Sequence, residues 1–458
     1  MPLHPCCYGF LIKILLDFIN GLCLCYTALC SRLSKPRIRK EKPLLKSNIV
    51  KNSDTLMECL GKIPDHRDNR GKRHELSFVL ACVLTAVLSR RTYLSSIHRF
   101  MTNKIEWLKD MFDRPGAAVV SRAQLPNILS GVDWDSLNDV CETVLAAHIE
   151  CSEHTWKAID GKSLKGTIVD ASRAHEHERI VSVVEHGSRD ILYQQRFSGE
   201  KESEVAVARE LLQTTGLLTA KISLDAGHVF PDTLAPIHHN GGMYVVQVKG
   251  NQPRLLESLV QLAEQTDGRE RSDAEQPSCE PASPNTAPAH ESPSCGVVLT
   301  STDKAHGRLE ERVGRVMELP SGRIDARWDE TGIQTLIVMD RTTTTCTTGH
   351  TSRERSYYVS NQSAAAHERE LFTAIREHWS IESVHWIRDV TFNEDNVRTS
   401  NRNAGQVLAL LRTSALHILQ TLRPRNINAQ LEEFADTPST LRNLLAQLGL
   451  VPAQSRGS

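Results

Sequence analysis

The sequence predicts an α/β fold: a mixed β-sheet flanked by helices, preceded by an all-helical region. Three observations carry this. From about Ile49 to Ala147 the apolar spacing is helical. From Thr155 onward short β-type runs follow one another. Those runs then alternate with helix-period segments, the pattern of a sheet with helices packed on it.

Each element is justified by its local pattern. "RHELSFVLACVLTAVLSRR" is apolar nearly all round, which suits a buried helix better than an amphipathic surface one. Further helices are expected at Tyr93–Phe112 and Trp134–His148. The runs "TWKAIDG", "RIVSVVEH" and "DILYQQRFS" predict three strands, and "SEVAVARELLQTT" a helix. A strand at "AKISLDAG", a helix at "PDTLAPIHHNG", a strand at "MYVVQVKG" and a helix at "PRLLESLVQLAEQ" follow. Thr266 to Gly296 is rich in Pro, Ser, Glu, Ala and Asp and reads as a flexible linker. Four more β-type runs, "CGVVLTST", "GRLEERVGRVMEL", "TLIVMDRTTTT" and "RSYYVSN", precede a return to helix at "AAAHERELFTAIREHWSIESVHWIRDV" and "AGQVLALLRTSALHILQTL".

The bulk composition is that of an ordinary globular protein, with 40% hydrophobic and 24% charged residues. A net charge of −1 means that any DNA-binding surface is a local patch. The 12 cysteines contain no C-x-x-C, which excludes a zinc or disulfide framework and suits a reduced cytosolic protein. Phe10 to Leu29 is the one membrane candidate. Lys13, Asp17 and Asn20 interrupt it, and each central charge costs roughly 2.5–3.5 kcal/mol on insertion. A basic stretch from Lys35 to Lys46 follows. A poorly ordered extension is preferred over a membrane or signal segment.

Three acids stand out. Asp160 ends a strand beside Gly161, and Asp225 closes "KISLD". Either could simply cap a turn. On adjacent strands of one sheet they would lie side by side, and like charges about 4 Å apart repel by roughly 4 kcal/mol at an effective dielectric near 20. Such a pair calls for a divalent cation or a shared proton, and hard carboxylate oxygens favour Mg²⁺ or Mn²⁺. Glu382 shares a helix face with His378, His385 and Asp389; a solvated face or a zinc set of His378, Glu382 and His385 are the alternatives. His306, Arg308, Glu310 and Arg312 alternate along one strand face, either a charged edge or a phosphate-binding face. Lys249, Asn251 and Gln252 sit in a strand-to-helix loop and could donate to phosphate or base edges. Arg67, Arg70, Lys72 and Arg73 form a basic cluster, and Arg398, Arg402 and Arg412 follow the Glu382 block.

Taken in order, these pieces resemble the H-repeat-associated insertion-sequence transposases, a branch of the DDE transposases with an RNase H-like core. "IPDHRDNRGKRHELSFVLACVLTAVLS" is similar to the associated helical domain. "AIDGKSLKG" and "SLDAGH" resemble the two aspartate motifs, "YVVQVKGNQPRLL" and "HGRLEER" the intervening signatures, and "HWSIESVHWIRDVTFNED" the glutamate block. The match runs from about Ile63 to Leu422. The block departs from the pattern by one missing residue before His385 and Trp386, and Arg90 stands where a small residue is usual.

The resemblance implies a five-stranded mixed sheet with a β-rich insertion between Asp225 and Glu382. It implies Asp160, Asp225 and Glu382 as the metal-binding catalytic triad with two Mg²⁺ or Mn²⁺ ions. Element-end and target DNA would be the substrates, a homo-oligomer the working form, the cytoplasm the location, and no nucleotide cofactor is needed. The organisation expected is an extension (1–48), a helical domain (49–150), a catalytic domain (151–425, with linker 266–296 and insertion 297–360) and a tail (426–458). A decayed DNA-binding remnant or a nuclease that cuts without joining are the competing functions.

Overall fold

The computed structural model describes residues 55–68, 72–145, 152, 154–167, 178–198, 203–274, 296–305, 307–397, 399 and 401–452. The expected N-terminal extension with its apolar run, the linker from 275 to 295, Arg70, His306 and Arg398 lie outside the described residues.

The helical region begins with α1 (Leu56–Gly61), closed by a capping box between Thr55 and Glu58. All 13 residues of α2 (Leu76–Leu88) are buried, as an all-round apolar sequence demands. Each large aliphatic side chain there contributes roughly 1.5–3 kcal/mol by leaving water. Arg90, just past its end, has φ +62°, the left-handed conformation that favours glycine, which is the physical reason a small residue suits that position. The single helix expected at Tyr93–Phe112 is two: α3 (Leu94–Asn103) and α4 (Ile105–Met111), parted at Lys104. α5 (Gln124–Ser130) and α6 (Trp134–Val140) follow, and a π-helical turn at Cys141–Leu145 ends the regular α-helix earlier than the pattern suggested.

The sheet is built from β1 (Trp156–Ser163), β2 (Glu178–Glu185), β3 (Ile191–Ser198), β4 (Lys221–Leu224) and β5 (Met243–Val248). It continues through β6 (Val297–Ala305), β7 (Arg308–Glu318), β8 (Thr335–Thr345) and β9 (Thr351–Ser360). The order is β3-β2-β1-β4-β5-β9-β8-β7-β6, nine strands in one sheet. The expected five-stranded sheet is therefore corrected. β9 pairs antiparallel with β5, so the four later strands extend the first five without a break. β1, β4 and β5 are parallel, and all other pairings are antiparallel.

Helices cover both faces. α7 (Glu204–Thr214), α8 (Pro231–His239) and α9 (Pro253–Ala274) lie on one side, over Ile159, Ile222, Tyr244 and Val246. α9 runs into the segment expected as linker. α10 (Ala364–Glu377) lies on the other face over Val245, Ile337 and Met339. Gly314 of β7 makes room for it: a Cβ there would fall 2.5 Å from the Phe372 ring. Gly314→Ala is therefore expected to cost about 1–3 kcal/mol through overpacking, read from the midpoint of urea unfolding.

The helix expected over "AAAHERELFTAIREHWSIESVHWIRDV" breaks at His378–Trp379 into α10 and α11 (Ser380–Val390). α12 (Arg402–Leu422) joins the first helices in one apolar cluster. The stretch expected as a tail holds α13 (Ile427–Asp436) and α14 (Pro438–Gln447), whose Leu431, Phe434 and Leu441 are buried in that same cluster.

Candidate active site

Parallel pairing of β1 with β4 sets Ile159 opposite Leu224. The next residue on each strand is an aspartate, so Asp160 and Asp225 are neighbours where β4 ends. Side chains alternate along β1. Ile159 points into the core under α7–α9, so Asp160 emerges on the opposite face, towards α11. Asp225 caps a short 3₁₀ turn, its Oδ1 accepting from the Gly227 N–H at 2.8 Å. Glu382 is exposed in the first turn of α11.

Burial pushes the Asp160 carboxyl up to about 7. The charges of Glu204 and Asp225 add to the rise, while the Gly161 N–H and His228 oppose it. The site thus concentrates negative charge that its own residues only partly balance.

All three acids line one pocket of about 230 Å³. Its floor is the face of β5, β9, β8 and β7, carrying Gln247, Tyr358, Arg341 and Arg312. Its wall is the corner between α10 and α11, where Trp379 is 41% exposed. The guanidinium of Arg341 sits 4.6 Å from the Trp379 ring centre and that of Arg312 5.8 Å. Lys249 lines the same pocket and is exposed.

Residues 154–418 match the family profile described as the transposase DDE domain, and residues 57–143 match the one described as DDE_Tnp_1-associated. The chain belongs to the DDE transposase family. It is similar to "H repeat-associated putative transposase YhhI" of Escherichia coli (strain K12), with 25% identity over 400 residues, 86% of this chain and 98% of that protein. "Putative protein YbfL" of the same strain shows the same identity and coverage. "Putative transposase YncI" of Escherichia coli O157:H7 is 25% identical over 371 residues, 80% of this chain and 87% of that one.

The remaining predicted residues of this family member fall into three groups. Lys249 and Arg312 reach the triad's pocket, and Arg312 also bonds Asp303 at 2.9 Å. Lys72, Arg73 and Arg308 are exposed and are not among the residues lining it. Others are held by the fold. Asn251 donates to the Ala226 carbonyl at 2.6 Å, and buried Gln252 donates to the Val229 carbonyl at 2.7 Å. These two amides tie the β5–α9 loop to the turn that carries Asp225. Arg67 is bound to Asp65 and to the His74 carbonyl, and buried Arg412 donates to the Thr92 carbonyl at 3.1 Å.

His378 lines the pocket, but its Nδ1 bonds the Ser223 hydroxyl at 2.8 Å, and burial holds its pKa down at about 4, so it is neutral. His385 lies 3.7 Å from Asp160 Oδ2, yet burial lowers its pKa to about 3. That contact is not an ion pair, because the imidazole carries no charge at neutral pH. Among the described residues no three His, Cys, Asp or Glu side chains stand together closely enough to hold a metal as they are placed. The alternative zinc set of His378, Glu382 and His385 is thus not assembled.

Sequence reasoning missed Arg341, Trp379 and Glu204. Arg341 is found only through the register that sets it opposite Arg312. Trp379 was visible in "HWSIE" beside Glu382. Glu204 gave no local signal beyond opening a helix.

Also among the described residues, no helix is long and apolar enough to cross a membrane.

Proposed function

We propose that this pocket cuts DNA at the ends of an insertion sequence and joins the freed strand to target DNA. The observation that carries the reading is the juxtaposition of Asp160 and Asp225 just past the last parallel pair of β1 and β4, in one pocket with Glu382, in a member of the DDE transposase family. The first five strands with their flanking helices support an RNase H-like core, here extended by the four insertion strands.

Divalent cations fit the donor set. Two carboxylates forced together, one of them pushed up to about 7, gain most from a hard cation. Asp160, Asp225 and Glu382 would hold two Mg²⁺ or Mn²⁺ ions. Such ions, when bound, supply Lewis acidity that acidifies a water or 3′-hydroxyl and stabilises a leaving oxygen.

The chain's own groups do the rest. Lys249 offers positive charge to the phosphates on either side of the scissile bond, while Arg312, paired with Asp303 and Glu310, and Arg341, paired with Glu354, line the same floor. Trp379 presents an exposed ring at the rim. In cleavage, water adds to phosphorus and a 3′-hydroxyl leaves. In joining, that hydroxyl replaces the leaving oxygen of a target phosphodiester, so one ester bond is exchanged for another and no nucleotide is consumed. Pairing of two element ends calls for a homo-oligomer.

The test incubates purified protein with Mg²⁺, DNA carrying the gene's flanking inverted repeats, and a target plasmid. Joined target strands are expected. Cut but unjoined ends would make the protein a nuclease, and binding without cleavage would make it a decayed remnant.

A further inference from the structure

The site has a neighbour that the triad does not account for. Glu204 opens α7, whose N-cap Ser203 accepts from the Ala206 N–H. It approaches from the face of the sheet opposite Asp160. Two features admit it. Pairing between β1 and β4 ends at Ile159–Leu224, which leaves that edge of β1 free beyond Ile159. The next outward position on that face is Gly161, and a Cβ there would overlap the Glu204 carboxylate.

Beside it lies His228, fully buried, with neither ring nitrogen in a well-formed hydrogen bond; its longer contact with Glu204 is the main influence holding the Glu204 carboxyl below its usual range. Its Nε2 is 3.5 Å from Glu204 Oε1 and 3.9 Å from Asp225 Oδ1. A buried imidazole with no other partner is thus aimed between two carboxylates from different elements. Buried polar groups are normally satisfied, so this exception needs an explanation. A carboxylate turned and tightened by a bound cation would accept from that ring, the arrangement by which outer groups orient metal ligands.

We propose that Glu204, oriented by His228 and admitted by Gly161, is a fourth carboxylate ligand of the divalent-cation site, standing with Asp160 and Asp225. This rests on the reading of that pair as a cation site.

The experiment is a calorimetric titration of the full-length protein with Mn²⁺ in the absence of DNA, with folding of each variant checked by circular dichroism. Glu204→Gln keeps shape and removes charge. Gly161→Ala leaves Glu204 intact but displaces its carboxylate, and serves as the second route should the first variant fail to fold. Both are expected to weaken Mn²⁺ binding ten-fold or more. Wild-type affinity in folded Glu204→Gln or Gly161→Ala, with binding lost in Asp160→Asn, overturns the role of Glu204 and leaves the cation site standing. No Mn²⁺ binding by the wild type, or unchanged binding in Asp160→Asn, overturns the cation site itself and this inference with it.

Discussion

Asp160→Asn is expected to lower DNA strand cleavage by about 10³-fold or more, some 4 kcal/mol of transition-state stabilisation, while leaving the protein folded. Asparagine keeps the shape and removes the charge on which cation binding depends. The same change has an opposite effect on stability. The Asp160 carboxyl is raised from 3.8 to about 7, chiefly by burial. Between those values the folded state holds a proton that the unfolded state releases, so stability falls as pH rises from about 4 to about 7. At about 1.36 kcal/mol per unit, the loss is up to about 4 kcal/mol. In EDTA the wild type should therefore be measurably less stable at pH 8 than at pH 5, and Asp160→Asn should show a smaller difference. Cleavage at the wild-type rate in Asp160→Asn would sink the proposed mechanism. An unaltered pH profile would remove the burial argument.

Glu394→Ala is expected to destabilise the protein by about 3–5 kcal/mol. Glu394 is 4% exposed and lies among three cations. Arg388 of α11 is 3.1 Å from it, and Arg412 of α12 and Lys162 of β1 are each 3.8 Å away. Burial lowers the Arg412 pKa to about 10, and the charge of Glu394 opposes that fall. Removing the acid leaves Arg388 and Arg412 uncompensated in the interior, which costs far more than losing a surface pair. Lys165→Ala is the comparison. Lys165 pairs with Asp395 at 3.0 Å but its side chain is 67% exposed, so its loss should cost no more than about 1 kcal/mol. Urea unfolding of the two variants separates the cases, and equal midpoints would show that the buried network holds nothing. The network also bears on catalysis. Lys162 is two residues beyond Asp160, and Arg388 is six beyond Glu382 on α11, so the same charges fix β1 and α11 against each other. Cleavage by any folded Glu394→Ala protein should fall as well.

Most of the local elements are legible in consecutive residues. The strand end at Asp225, the buried helix Leu76–Leu88 and the succession of β1 to β5 along the chain are legible because side-chain alternation and apolar spacing are properties of consecutive residues. The family motifs were legible for the same reason. Asp160, expected at a strand end, lies inside β1, which runs on to Ser163 because β2 pairs with it beyond the point where β4 stops. What only the tertiary structure decided were the relations between distant residues. The insertion strands could have formed a separate sheet; antiparallel pairing of β9 with β5 joins them to the first five. Asn251 and Gln252 carry amides suited to DNA, yet the fold uses them on the Ala226 and Val229 carbonyls. The final segment 427–447 packs as two helices because its apolar residues complete the core begun by the first helices. Glu204 reaches the site only because Gly161 has no side chain and β4 stops at Leu224. Register, gaps and the use of donors depend on what lies across the sheet, and no window of sequence contains that information.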